Sequence, residues 1–113
     1  MLESKEMIDI AVAAMQEKKG MDILSLHIGP LSPICDDFLI VSGGSRSQVD
    51  ALIDGVEEAL GRAGAELKAR EGTPESGWIL LDYSDIVIHI FTVEMREFYG
   101  LEHTWRDAEC VRY

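Results

Sequence analysis

Asp82, Asp85 and His89 fall close together in the chain, and Asp36-Asp37 supplies two more carboxylates upstream. Carboxylate oxygens with an imidazole nitrogen are the donor set of a divalent metal site. The same acids also suit plainer work. Asp36 and Asp37 fit a strand end, and Asp82 and Asp85 fit the shaping of a hairpin loop, since short acidic side chains accept hydrogen bonds from nearby backbone. The spacing organises no complete ligand set, so no metal or cofactor is expected. His27 and His103 are isolated, and no serine or cysteine has a base beside it, so no catalytic residue is expected either. Cys35 and Cys110 fit neither a CxxC nor a zinc spacing and read as free thiols of a reducing compartment.

Gly43-Gly44-Ser45 is the second place where chemistry is conceivable. A glycine turn opening a helix can hold an anion on the free amides, and a Gly-Ser turn of this kind opens nucleotidyltransferase active sites. Those enzymes need paired acids on a following strand to hold two metal ions. Here Asp50, Asp54 and Glu57 fall instead inside a helix that Ser45 and Gln48 begin as a capping box. A nucleotide-dependent transferase is therefore the alternative reading, and a simple turn is the preferred one.

The richest segment runs from Trp78 to Phe91. Aromatic and β-branched residues flank Asp82-Tyr83-Ser84-Asp85, which predicts a hairpin. With Tyr83-Ser84 as a two-residue loop, Asp82 pairs with Asp85, Leu80 with Val87 and Trp78 with His89. Side chains alternate along a strand, so Ile79, Leu81, Ile86, Ile88 and Ile90 form one wholly aliphatic face. Trp78, Leu80, Asp82, Asp85, Val87, His89 and Phe91 form the other. That second face mixes large apolar groups with carboxylates and an imidazole, the composition of an interface hot spot. His89 reads there as an interface hydrogen-bonder rather than a general base.

The remaining elements must position this hairpin. Met7, Ile8, Ala11, Val12 and Met15 recur at helical spacing behind Ser4 as N-cap, with Lys18-Lys19-Gly20 as the stop. Residues 23–28 and 38–41 read as strands. Val49, Leu52, Ile53, Val56 and Leu60 mark a second helix. Residues 67–70 read as a short edge strand, 71–77 as a mobile loop, and Thr92 to Tyr99 as a helix halted by Gly100. The order α-β-β-α-β-β-β-α predicts a single α+β domain over residues 1–113, with a small mixed sheet and helices on one face. The Trp78/Asp82/His89 face is then left uncovered.

Twenty-one acids against ten bases give a net charge of −11. Phosphate backbones repel such a chain, which argues against direct nucleic-acid recognition and for a basic protein partner. No apolar run approaches the roughly 20 residues of a membrane helix, and no secretory signal opens the chain. A cytoplasmic location is expected.

Over residues 7–108 the motifs resemble the ribosomal silencing factor (RsfS, Iojap-related) family. They are Lys18-Lys19 with Asp22-Ile23, Asp36-x-Phe38-Leu39-Ile40 with Ser42-Gly43, and Ser45-x-x-Gln48-Val49. Further along come Glu71-Gly72, the Trp78–Phe91 segment, and Arg96-Glu97-Phe98-Tyr99-x-Leu101-Glu102-x-x-Trp105. The chain departs from the family at Asp37, where an aromatic usually stands, at His27, often an acid, and at Ser84, often glycine. The resemblance implies a non-catalytic fold related to nucleotidyltransferases. It implies binding to the large ribosomal subunit through its protein L-fourteen, steric obstruction of subunit joining in starvation or stationary phase, and a role in large-subunit assembly for some members. On this reading Trp78, Leu80, Asp82, Tyr83, Asp85, Val87, His89 and Phe91 contact the partner. A free chain with such a face is expected to pair with itself as a homodimer.

Overall fold

The first helix, α1 (Ser4–Glu17), buries Met7, Ile8, Ala11, Val12 and Met15, the predicted stripe. The computed structural model describes residues 2–113. The N-cap is Glu3 rather than Ser4. The Ser4 hydroxyl instead donates to Asp36 Oδ2 at 2.9 Å. At the other end Lys19, not Gly20, takes the left-handed conformation (φ 61°). Gly20 serves close packing, since a Cβ there would sit 2.6 Å from Val41 Cγ2.

Strand β1 (Met21–His27) runs antiparallel to β2 (Asp37–Gly43). Helix α2 (Arg46–Arg62) follows, burying Val49, Leu52, Ile53, Val56 and Leu60. Next come β3 (Ala69–Thr73), a 3-10 turn at Pro74–Ser76, β4 (Trp78–Asp82) and β5 (Ile86–Thr92). Helices α3 (Val93–Tyr99) and α4 (Leu101–Thr104) lead to a final strand, β6 (Glu109–Arg112). The six strands lie in the order β3-β4-β5-β2-β1-β6. Only the central β2·β5 pair is parallel, which makes the sheet mixed as predicted.

Two local readings change. Residues 71–77 are ordered by β3 and by reciprocal bonds, Ser76 N–H to Thr73 Oγ1 and Thr73 N–H to Ser76 Oγ, both at 3.3 Å. The tail past Trp105, polar and expected to hold no regular element, forms β6, which pairs antiparallel with β1. Its four exposed residues carry no strong alternation, so periodicity left no signal.

Helices α1 and α2 pack on one sheet face around Ile23, Leu39, Val41, Ile79, Leu81, Ile86, Ile88 and Ile90. Fully burying each aliphatic side chain contributes about 1.5–3 kcal/mol, so this layer dominates stability. The other face is not bare, contrary to expectation. Leu24, Leu26, Ile28, Phe38, Ile40, Val87 and Phe91 form a second cluster, closed by Met95, Leu101, Trp105 and Ala108 from the C-terminal segment. Helices therefore lie on both faces. Among the described residues no helix is long and apolar enough to cross a membrane. Both cysteines are free; Cys35 is buried, and burial pushes its thiol up to about 11.

Candidate protein-recognition surface

The hairpin forms with a register two residues away from the predicted one. Trp78 pairs with Phe91, Leu80 with His89 and Asp82 with Val87. The loop moves to Ser84-Asp85, with Tyr83 N–H bonded to the Ile86 carbonyl at 3.0 Å. Ser84 takes φ 73°, the conformation that glycine adopts freely. Asp82 Oδ1 accepts from the Ser84 amide at 2.8 Å and holds the turn. Because the slip is an even number, every strand residue keeps its predicted face.

One site residue is relocated by the shift. Tyr83 belongs to the helix-covered face, is 5 % exposed, and packs in the first core. Its hydroxyl is pushed up to about 12 by burial. It is not available for contact, and this corrects its place among the partner-binding residues. Val87, His89 and Phe91 share a face with Trp78, as predicted, but are buried under the C-terminal segment. Trp78, Leu80 and Asp82 are half-buried, and Asp85 is exposed. Asp82 lies at the far end of β4 from Trp78, about 13 Å along the strand by its rise per residue, and Asp85 lies in the loop beyond it.

Trp78 is the centre of an aromatic array. Its ring lies 4.4 Å from Tyr99, 5.4 Å from Phe91 and 5.8 Å from His89, centroid to centroid. Its Nε1–H donates to His89 Nδ1 at 3.1 Å. The geometry requires neutral His89 with its proton on Nε2. That Nε2 is buried with no partner among the described residues. Burial pulls the His89 pKa down to about 4, which keeps the ring an acceptor at neutral pH. Phe38 meets His89 edge-on at 4.6 Å and Trp105 at 5.5 Å.

Helix α3 forms where the sequence predicts it, but Phe98 and Tyr99 are not among the expected site residues. Tyr99 (42 % exposed) stands on Trp78, and Phe98 (75 % exposed) stands beside Tyr99 at 5.3 Å. The signal was available in the Phe98-Tyr99 pair ahead of Gly100, but no periodicity assigns so short a helix a face. Trp78, Leu80 and Tyr99 line an open cavity of about 260 Å³ with Glu71, Gly72 and Ser76 of the sheet edge. An open apolar hollow with carboxylates on the same sheet face can seat a bulky apolar anchor and pair with basic groups.

The other candidate chemistry is taken up locally. Ser45 Oγ accepts from Gln48 N–H at 3.1 Å, and Gln48 Oε1 fills the Gly44 amide at 2.6 Å. Two of the amides that would grip a phosphate, those of Gly44 and Gln48, are occupied by the chain itself. Asp50, Asp54 and Glu57 lie in α2, which Ser45 caps, although Gln48 Oε1 reaches the Gly44 amide rather than that of Ser45 and so closes no capping box. His27 Nδ1 meets Asp37 Oδ1 at 2.9 Å, and this bond raises the His27 pKa. His103 is exposed on α4.

Comparison with known proteins agrees with this architecture. The family model described as "Ribosomal silencing factor during starvation" matches residues 1–112. The ribosomal silencing factor RsfS of Bacillus subtilis is 36 % identical over 107 residues, covering 95 % of this chain and 91 % of that protein. The protein of the same name from Halalkalibacterium halodurans is 34 % identical over 110 residues, covering 97 % and 94 %. A crystal structure of a Chromobacterium violaceum protein superposes with a TM-score of 0.88 at 31 % identity, over 92 % of this chain and 87 % of that one. A match across nearly the whole length, in sequence and in fold, places the chain in the ribosomal silencing factor (RsfS/Iojap) family.

Proposed function

We propose that this protein represses translation by binding the large ribosomal subunit through its basic protein L-fourteen, so that the bound bulk blocks joining of the small subunit. The supporting observation is the half-exposed Trp78/Leu80/Tyr99 hollow, with Phe98 beside it, on a chain of net charge −11. Ribosomal RNA repels that charge, whereas a basic ribosomal protein attracts it and is steered in faster. Direct nucleic-acid recognition has no part in this reading. Trp78, Leu80, Tyr99 and Phe98 supply desolvated apolar contact, and Asp82 and Asp85 pair with basic groups. Val87, His89 and Phe91 support the strip from beneath. The role is steric, with no catalytic step, and is exercised where ribosomes assemble, in the cytoplasm.

Purified large subunits mixed with the protein and sedimented through sucrose test this directly. Co-sedimentation, followed by failure of added small subunits to join, is the expected result. Joining at the normal extent despite binding would overturn the occlusion mechanism and favour the assembly role.

The free protein is expected to pair through the same strip as a homodimer that separates to bind the subunit. Light scattering at tens of micromolar should give twice the chain mass for the wild type and a single chain mass for Phe98→Glu. A monomeric wild type removes the homodimer from the scheme.

A further inference from the structure

We infer that Arg96 is a positioning residue for the recognition surface, latching α3 and α4 to the strand ends and so setting Tyr99 and Phe98 against Trp78. This rests on the reading of that surface as the ribosome contact.

Arg96 is a charged side chain with only 9 % of its surface exposed. Its Nε–H donates to Glu102 Oε1 at 2.6 Å. Its Nη1 donates to Ser42 Oγ at 2.9 Å and to the Met21 carbonyl at 3.4 Å. One guanidinium on α3 thus ties together α4, the end of β2 and the start of β1. Glu102 is more open, with 37 % of its side chain exposed, and reaches back across the Gly100 reversal (φ 58°).

The latch matters because the helices it holds are short. Seven residues of α3 and four of α4 are far below the length at which a helix stands alone in water. Their position is set by tertiary anchors. Met95, Leu101 and Trp105 are the apolar ones, and they are non-directional. Arg96 is the directional one, because its planar fork fixes angles as well as distances. Tyr99 lies three residues beyond Arg96, one helical turn along the same side. A tilt of α3 about the latch therefore carries Tyr99 off the Trp78 ring and Phe98 with it.

The test uses the full-length protein carrying 5-fluorotryptophan, with purified large ribosomal subunits as the binding probe. Trp78→Phe and Trp105→Phe assign the two fluorine resonances. Arg96→Met is expected to bind large subunits about tenfold or more weakly than wild type and to shift the Trp78 resonance. Arg96→Lys restores the charge without the fork, so it is expected to stay close to Arg96→Met; recovery to wild-type binding would show that charge alone suffices and overturn the latch. Glu102→Ala sits at the solvent edge and frees Arg96 from α4 should Arg96→Met fail to fold. It is expected to weaken binding several-fold and shift the same resonance. Wild-type binding and an unmoved Trp78 resonance in Glu102→Ala would overturn the inference. If wild-type protein itself does not bind large subunits, the ribosome reading fails, and the Trp78 resonance alone then decides whether Arg96 sets the surface.

Discussion

Trp78→Ala is expected to weaken large-subunit binding by about 30-fold or more and to lower folding stability by about 3 kcal/mol. The binding loss corresponds to about 2 kcal/mol, typical of a central aromatic anchor truncated at an interface. The stability loss follows from what the ring touches. Truncating a buried tryptophan costs about 3–5 kcal/mol, and less when the ring is half-exposed, as here. The mutation also removes the N–H that satisfies His89 Nδ1, leaving both imidazole nitrogens unpaired in a buried site. An outward-facing tryptophan read from the sequence alone would have left the fold nearly intact. The aromatic array changes that expectation, because Trp78 roofs Phe91 and His89. Urea melts and sedimentation binding measured on the same samples separate the two effects. Trp78→Phe keeps the stack and loses only the N–H, so it should retain most of the binding. Unchanged binding in Trp78→Ala, under conditions where it is fully folded, would remove this surface as the ribosome contact.

Acidification is expected to destabilise the fold through His89 by about 3 kcal/mol between pH 6.5 and 4. The folded-state pKa is about 4, held down by burial, against an ordinary value of 6.5. Within that window the unfolded chain takes up a proton that the folded chain refuses, so stability falls as the pH falls. Below pH 4 the loss is complete. Protonation at Nδ1 also turns the acceptor of the Trp78 N–H into a donor, so the same step breaks that bond. His27 works in the opposite direction. Its bond to Asp37 raises its pKa, so its contribution is fully present below pH 6.5 and is lost as pH rises through the raised value. His89→Phe suits the ring-lined site and cannot titrate. Its stability measured from pH 7 to 4 should lack the His89 share of the decline, and curves parallel to wild type would show that His89 does not carry it.

The hairpin explains why the sequence was legible where it was. Face assignment depends on parity, so a pairing error of two residues left Ile79 and Trp78 on the correct sides. Loop composition does not fix loop position. Tyr83 therefore moved from the tip to the core, where its ring covers apolar surface beside Ile86. The stripes of α1 and α2 were readable because three or more turns repeat the same spacing. The cover on the other face was not. Met95, Leu101, Trp105 and Ala108 come from elements too short to show a period, and only tertiary contact reveals that they act together. Strand β6 is set by pairing with β1, a long-range relation invisible in its own four residues.

The parallel pairing at the centre of the sheet governs the order in which the molecule can be made. Strand β2 spans residues 37–43, and its parallel neighbour spans residues 86–92. Loop-closure entropy must be met before that contact returns any energy, and such non-local pairing slows folding. Until β5 exists, the apolar side chains of β2 have an open strand edge beside them. The Trp78/Leu80/Tyr99 hollow draws on β4 and α3, with a rim from the β3 edge, and is complete only once Tyr99 has been added. A nascent chain therefore acquires the complete hollow only after most of it has been synthesised. A truncated product ending before β5 would carry neither a closed sheet nor the complete hollow.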